Sequence, residues 1–253
     1  MCFQNSEKKK VKCQVENEQN VKSKIAEIVD SKGNSSKKEI LLINDEFLNI
    51  CIENAKGRRI LGSMTCLLDR IDELIVGILY RRGIVTSYSD IVSINVNKDN
   101  VYNAYVVLKD SIDIWNEKEI FSEVIPIEYR NERIFSLART FSLDTPFHRR
   151  TGATHSCILA NDEKILFQVE DSGRHNAIDK AIGYALINEI NLRECMLFTS
   201  ARVSCEMVIN VINAGIPVLI SKAVPTLKAV EMAKKYKLSL LCCAGNDSFS
   251  RFN

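Results

Sequence analysis

From residue 157 to residue 243 the chain switches repeatedly between short apolar runs and amphipathic stretches, and this alternation constrains its fold more than any other feature. Cys157–Leu159 and Ile165–Val169 read as two strands around a turn at Asn161-Asp162-Glu163-Lys164. A helix is expected from Ala177 to Glu189, capped by Asn176, with Asp179 three residues on. Met196–Ser200 is a strand, Cys205–Asn213 a helix closed by Gly215, and Ile216–Ile220 another strand. Pro225 suits the first turn of a helix running to Tyr236, and Leu238–Cys243 is a final strand. Strands separated by helices require crossovers, so an α/β fold is expected, with a largely parallel sheet covered on both faces.

The rest of the chain is patterned differently. Residues 1–38 carry nine lysines, no arginine and five acids, and read as a flexible basic leader. Its start, Met1 to Lys10, has no apolar core and does not read as a secretory signal. Glu39–Ile52 reads as a hairpin turning at Asn44-Asp45-Glu46. Leu67–Tyr80 carries the stripe of an amphipathic helix, followed by Gly83. Ile91–Val96 and Val101–Leu108 are strand-like, and Asn131–Phe141 is helical, with Ile134, Leu137, Ala138 and Phe141 on one face. The expected division is a leader over 1–38, a smaller β-rich subdomain with one helix over 39–130, and an α/β domain over 131–253.

Composition narrows the function classes. No apolar run approaches the ~18 to 20 residues that span a bilayer, so no membrane partner is expected. Beyond the leader the body is slightly acidic, which disfavours a nucleic-acid partner. Nine cysteines in a chain expected in a reducing cytosol read as thiols rather than disulfides. No two are spaced Cys-x-x-Cys and no His-x-x-x-His occurs, which argues against zinc.

Ligands of such sheets bind beyond the strands' carboxyl ends, and polar residues collect in those connections. Arg149, Arg150, Thr151, Gly152 and His155 precede the first strand of the α/β domain. Arg174, His175 and Asn176 follow Val169; Ser200 and Arg202 follow Phe198; Lys222 follows Ile220. Cys243, Ala244, Gly245, Asn246, Asp247 and Ser248 end the last strand. Arginines, hydroxyls and helix N-termini together suit an anion, such as a phosphate or pyrophosphate. The same residue types also cap helices and line solvated turns. Cys205, in a helix's first turn behind Arg202, is placed where a thiolate is favoured. Its plainer reading is a small residue tucked into a helix start. Cys157 lies two residues after His155.

These segments resemble a known family. Thr151-Gly152-Ala153-Thr154-His155, the block Glu170-Asp171-Ser172-Gly173-Arg174-His175-Asn176-Ala177-Ile178-Asp179-Lys180, and Ser200 to Met207 are similar to signatures of the formate dehydrogenase accessory protein family (FdhD/NarQ). Ala214-Gly215-Ile216-Pro217-Val218, Ala223-Val224-Pro225-Thr226 and the Asp72–Ile84 helix extend the likeness over residues 39–253. The resemblance implies a cytidine deaminase-like fold without zinc in a cytoplasmic, dimeric protein. It implies a sulfur carrier that accepts persulfide sulfur from a cysteine desulfurase. The sulfur passes to the bis-molybdopterin guanine dinucleotide cofactor (Mo or W) of formate dehydrogenase, and guanine nucleotides would be partial mimics of that cofactor.

The family's CG-x-CG segment, expected before Thr151, is missing, because no cysteine occurs between Leu67 and Ser156. A substitute thiol, Cys157 or Cys205, would then carry the sulfur, or the chain would bind cofactor only. Other readings are a nucleotide hydrolase or deaminase relative on the same fold, and a scaffold that binds the client enzyme alone.

Overall fold

Three sheets are present in the computed structural model, which describes residues 20–117, 122–143 and 145–252. Met1 to Lys10 and the rest of the first half of the expected leader lie outside the described residues.

Residues 21–38, expected to be leader, instead build β1 (Val21–Val29) and the start of β2 (Ser35–Ile43), which pair antiparallel as a two-stranded ribbon. The hairpin expected over 39–52 is not formed. β2 pairs with β1, while β3 (Glu46–Asn54) pairs with β4 (Gly57–Cys66). Asn44-Asp45 thus joins two sheets rather than turning within one, a distinction that strand alternation alone does not carry. β3 also runs parallel to β6 (Tyr102–Leu108), and β5 (Ile91–Lys98) closes a four-stranded sheet ordered β4-β3-β6-β5. Its inner residues, including Leu48, Ile50, Ile52, Ala104 and Val106, pack against Leu74, Ile75 and Ile78 of helix α1 (Ile71–Arg81).

The second layer system is the α/β unit foreseen in the alternation. β7 (His155–Ala160), β8 (Ile165–Asp171), β9 (Met196–Thr199), β10 (Val218–Ser221), β11 (Ser239–Cys242) and β12 (Ser250–Phe252) form a sheet ordered β12-β11-β10-β9-β7-β8. Its parallel pairs are β9–β10 and β10–β11; β7–β8, β7–β9 and β11–β12 are antiparallel. The sheet is therefore mixed rather than largely parallel. The short turn after Ala160 makes β7 and β8 a hairpin, and a hairpin must be antiparallel. Four strands, β8 to β11, still point the same way.

Alternation along the strands feeds both faces. Ile158, Met196, Phe198, Val218, Ile220 and Leu241 meet helix α2 (Asn131–Leu143) through Ile134, Leu137, Ala138 and Phe141. Cys157, Leu159, Leu197, Leu219, Leu240 and Cys242 face the opposite side. There they meet α4 (Arg174–Ile187), α5 (Cys205–Asn213) and α6 (Leu227–Lys235). Each such fully buried side chain contributes roughly 1.5–3 kcal/mol of transfer free energy.

α4 lies between the large sheet and α1, so its burial continues around most of the helix. The crossing is unusually close. A Cβ on Gly77 of α1 would lie 1.9 Å from the Asp179 carbonyl oxygen, and one on Gly183 would lie 1.8 Å from that of Glu73. Glycine at both positions lets the backbones meet and couples the two sheets into one body. The helix starts also differ from expectation: α4 begins at Arg174 behind Gly173, not at Asn176, and α6 begins after Thr226, with Pro225 before its cap.

Candidate functional site

The carboxyl ends of β8 to β11 gather at one edge of the large sheet, and because β7 runs the other way its first residue joins them. His155 is registered opposite Asp171, the last residue of β8, and Cys157 opposite Thr199, the last residue of β9. Ser200 seals the junction: its backbone N–H donates to the Ser156 carbonyl at 3.1 Å, and its Oγ accepts from the Ser156 N–H at 3.0 Å. That hydroxyl also lies 3.5 Å from His155 Nδ1.

Neighbouring loops are stitched in the same manner. Lys222 N–H donates to the Thr199 carbonyl at 3.2 Å, Ala244 N–H to that of Ser221 at 2.9 Å, and Cys243 N–H to that of Ala223 at 3.2 Å. Ser221 Oγ donates to the Ala201 carbonyl at 2.8 Å. Ser200–Arg202, Lys222 and Cys243–Ser248 are thereby tied into one surface, and the pairing of β8 with β7 sets Arg174–Asn176 at the same edge.

The fifth, Arg149 to Gly152, is held by a carboxylate. Helix α3 (Pro146–Thr151) was not foreseen, since its six residues carry no apolar period. Glu170, buried at the end of β8, accepts hydrogen bonds from the N–H groups of Phe147 and His148, both at 2.8 Å. It also accepts from Thr154 Oγ1 at 2.8 Å and Ser156 Oγ at 3.3 Å. A carboxylate at a helix N-terminus is favoured by the helix dipole. Glu170 therefore fixes α3, and with it the exposed Arg149 and Arg150, next to His155.

Beneath this surface lies a buried polar core. Lys180 Nζ lies 2.7 Å from Asp171 Oδ2 and 3.1 Å from Asp69 Oδ1, and donates to the Leu67 carbonyl at 3.2 Å. Burial alone would pull the ammonium down, but the two carboxylates outweigh it and its pKa rises. Asn176, expected at the ligand face, is turned inward: its amide donates to the Thr65 carbonyl and to Asp171 Oδ1, both at 2.8 Å. The same amide explains Gly173, where a Cβ would sit 2.7 Å from Asn176 Nδ2. The sequence signal for Lys180 was a charge set among Ala177, Ile178, Ala181 and Ile182, which a one-sided helix would not have buried.

Among the described residues no ion pair joins Arg174 or Arg202 to a carboxylate, whereas Asp171 and Glu170 are consumed internally. His155 and His175 are pushed below the ordinary imidazole range by burial first and Arg174 second, so both are neutral near pH 7. His175 Nε2 lies 3.5 Å from Glu206 Oε2. In the last segment Cys243 is exposed, Ala244 is buried, and Asn246, Asp247 and Ser248 face solvent beside Gly245. The Arg174 and Arg202 guanidinium groups, hydroxyls and the N-terminus of α4 form a donor set that suits a phosphorylated ligand.

The thiols separate sharply. Cys157, a candidate sulfur carrier from sequence, is fully buried in the core, and burial pushes its thiol far up. That placement corrects the expectation: Cys157 shares a strand face with His155, but at Cys157 that face is covered by the helices of the core, so the thiol is shut away from the strand-end surface. Burial also raises Cys66 and Cys242, each to about 12, and Cys195 to about 11. Cys205 is half-buried in the first turn of α5, where Ser204 caps the helix by accepting from Met207 N–H at 3.4 Å. Cys243 is the exposed thiol among the described residues. Those residues also contain no group of three or more His, Cys, Asp or Glu side chains placed to hold a metal ion.

Known proteins match this arrangement. A sequence model of the FdhD/NarQ family matches residues 109–253, more than half of the chain. The sulfur carrier protein FdhD of Methanothermobacter thermautotrophicus is 31% identical over 216 residues, covering 79% of this chain and 84% of that protein. The sulfur carrier protein FdhD of Wolinella succinogenes is 25% identical over 242 residues, covering 87% and 83%. A crystal structure of a proposed formate dehydrogenase accessory protein from Desulfotalea psychrophila superposes with a TM-score of 0.78 at 21% identity, over 92% of this chain and 96% of that one. Family signature, chain-length similarity and shared fold agree, and the chain belongs to the FdhD/NarQ family.

Proposed function

We propose that this protein is a maturation factor for a formate dehydrogenase, and that it holds the bis-molybdopterin guanine dinucleotide cofactor (Mo or W) at the strand-end surface. The observation that carries the reading is the assembly of Arg174, Arg202, Lys222, His155 and Ser200 at one sheet edge, where the buried acids Asp171 and Glu170 are engaged from within. Arg174 and Arg202 would hold phosphate oxygens, and neutral His155 with Ser200 would offer hydrogen bonds to the guanine dinucleotide. When bound, the cofactor supplies a metal whose sulfur ligation makes the client enzyme competent. The sheet and its flanking helices are read as a zinc-free relative of the cytidine deaminase-like fold, in a cytoplasmic homodimer.

In the same reading, sulfur arrives on a cysteine desulfurase as a persulfide. A thiolate of this chain attacks the outer sulfur. The bond to the desulfurase breaks, a new S–S bond forms, and the desulfurase leaves as a thiolate, so no external oxidant or reductant enters. Cys205, half-buried in the first turn of α5, and exposed Cys243 on the same surface are the candidate acceptors.

Two measurements test the reading. Expression in cells lacking their own maturation factor should restore formate dehydrogenase activity, and no restoration with several client enzymes would overturn it. After incubation with a desulfurase and cysteine, mass spectrometry should find one added sulfur on Cys205 or Cys243. Sulfur on no cysteine would leave a cofactor-binding role without transfer.

A further inference from the structure

Among the described residues Cys51, Cys205 and Cys243 are the cysteines that are not fully buried, and Cys51 belongs to β3 in the other sheet. The other two flank a single loop, the one between β10 and α6. On one side, Cys243 N–H donates to the Ala223 carbonyl at 3.2 Å. On the other, Val203 N–H donates to the Val224 carbonyl at 3.2 Å and Thr226 N–H to the Val203 carbonyl at 2.9 Å. Val203 and Pro225 thus pair as a parallel bridge. Each of these two segments enters a helix two residues on, behind a capping hydroxyl: Ser204 before Cys205 of α5, and Thr226 before Leu227 of α6. Cys205 and Leu227 therefore hold equivalent first positions of neighbouring helices. The Lys228 ammonium is raised first by Glu231 and also by Cys205, so that thiol lies within its electrostatic reach.

This loop shows solvent two large apolar side chains that the core does not use. Leu227 is 77% exposed and Val224 is 56% exposed, while α6 buries Ala229 and Ala233 instead. Neither side chain is held out by packing, and adjacent exposed apolar groups rimmed by polar ones mark a protein contact. Arg202 and Lys222, both exposed, border them.

We infer that Val224 and Leu227 form the docking point for the persulfide-bearing loop of the sulfur donor. The inference rests on the proposed sulfur-transfer reading and deepens it by naming the surface the donor meets. Sulfur passes between two proteins only when the thiolate comes within about 3–3.5 Å of the outer sulfur, so whatever surrounds the accepting thiol must touch the donor. Cys205 and Cys243 both adjoin this loop, so the same two side chains meet the donor whichever of them accepts. Arg202 and Lys222 offset the negative charge that thiolate and persulfide bring together. A contact centred on two side chains suits a brief encounter rather than a permanent complex.

The test follows added sulfur over time by intact-mass spectrometry, with the full chain given either a cysteine desulfurase and cysteine or glutathione persulfide. A variant carrying Val224→Ser and Leu227→Asp should take sulfur from the desulfurase more slowly than the parent protein by roughly tenfold or more, as for loss of apolar anchors at an interface. Glutathione persulfide, which needs no docking surface, should load both proteins at the same rate. The variant should melt with the parent, because both side chains are exposed and an acid suits the first turn of a helix. Equal rates from the desulfurase would overturn the docking point and leave the transfer reading standing. Slower loading from both donors would assign the effect to the thiol itself and would also overturn it. A parent protein that takes no sulfur from the desulfurase would overturn the transfer reading and the docking point with it.

Discussion

The Nζ of Lys180 lies 2.7 Å from Oδ2 of Asp171, and both side chains are at 0% exposure. This pair stands directly behind the strand-end surface. Asp171 ends β8, and Lys180 rises from α4 one turn and a half beyond Arg174, so the pair fixes how the guanidinium is presented. Asp171 also accepts from the N–H of Gly173 at 2.9 Å and of Leu67 at 3.2 Å, which joins α4, β8 and the approach to α1 at one carboxylate.

Lys180→Met should therefore be severely destabilising, by about 3–5 kcal/mol, because it strands a buried carboxylate. Adding Asp171→Asn should recover part of the loss. Chemical denaturation of the two single variants and the double variant measures this as a coupling energy. Additive losses would show that the pair is not coupled.

The α1–α4 crossing makes a second prediction. Gly77→Ala or Gly183→Ala places a methyl within 2 Å of a backbone carbonyl, and the helices must separate. Overpacking of this kind costs roughly 1–3 kcal/mol, and here it acts where the two sheets join. The melting temperature of each variant should fall by several degrees, with a wild-type-like circular dichroism spectrum at low temperature.

Asp179 carries a pH signature. Burial raises its carboxyl to about 6 despite the Arg81 guanidinium. A carboxyl whose folded pKa exceeds its unfolded value of about 3.9 binds more protons when folded. Its contribution to stability is fully present below pH 4 and is lost as pH rises through 6. Asp72, also raised to about 6 by burial, acts in the same direction. Asp179→Asn should flatten the dependence of unfolding free energy on pH between 4 and 6, by on the order of 2 kcal/mol across the window. An unchanged slope in that variant would exclude Asp179 as its source.

Much of this architecture was legible in the residues. The run from β7 to β11 alternates strands and helices plainly, and α5 spans the residues its period predicts, Cys205–Asn213. The less legible parts have physical reasons. β2 and β3 are adjacent in sequence and strand-like, yet only tertiary context decides that each pairs elsewhere. β12 has three residues and pairs antiparallel with β11, too short for a period to show. At the site, the clustering of Arg174, Ser200, Arg202 and Lys222 was visible because connections after parallel strands share an edge. Whether a polar residue there points out or in was not visible. Asn176 and Cys157 both proved to be internal, one committed to the β4–β8 junction and the other to the core.

Guanine nucleotide binding at the strand-end surface is the claim on which the account turns, and calorimetric titration with GDP measures it most directly. The account predicts saturable binding by the intact protein and a loss of roughly tenfold or more in affinity for Arg174→Ala, a fold-preserving change at a half-exposed side chain. GDP affinity equal in the parent protein and in Arg174→Ala, or no binding by the parent protein, would contradict it.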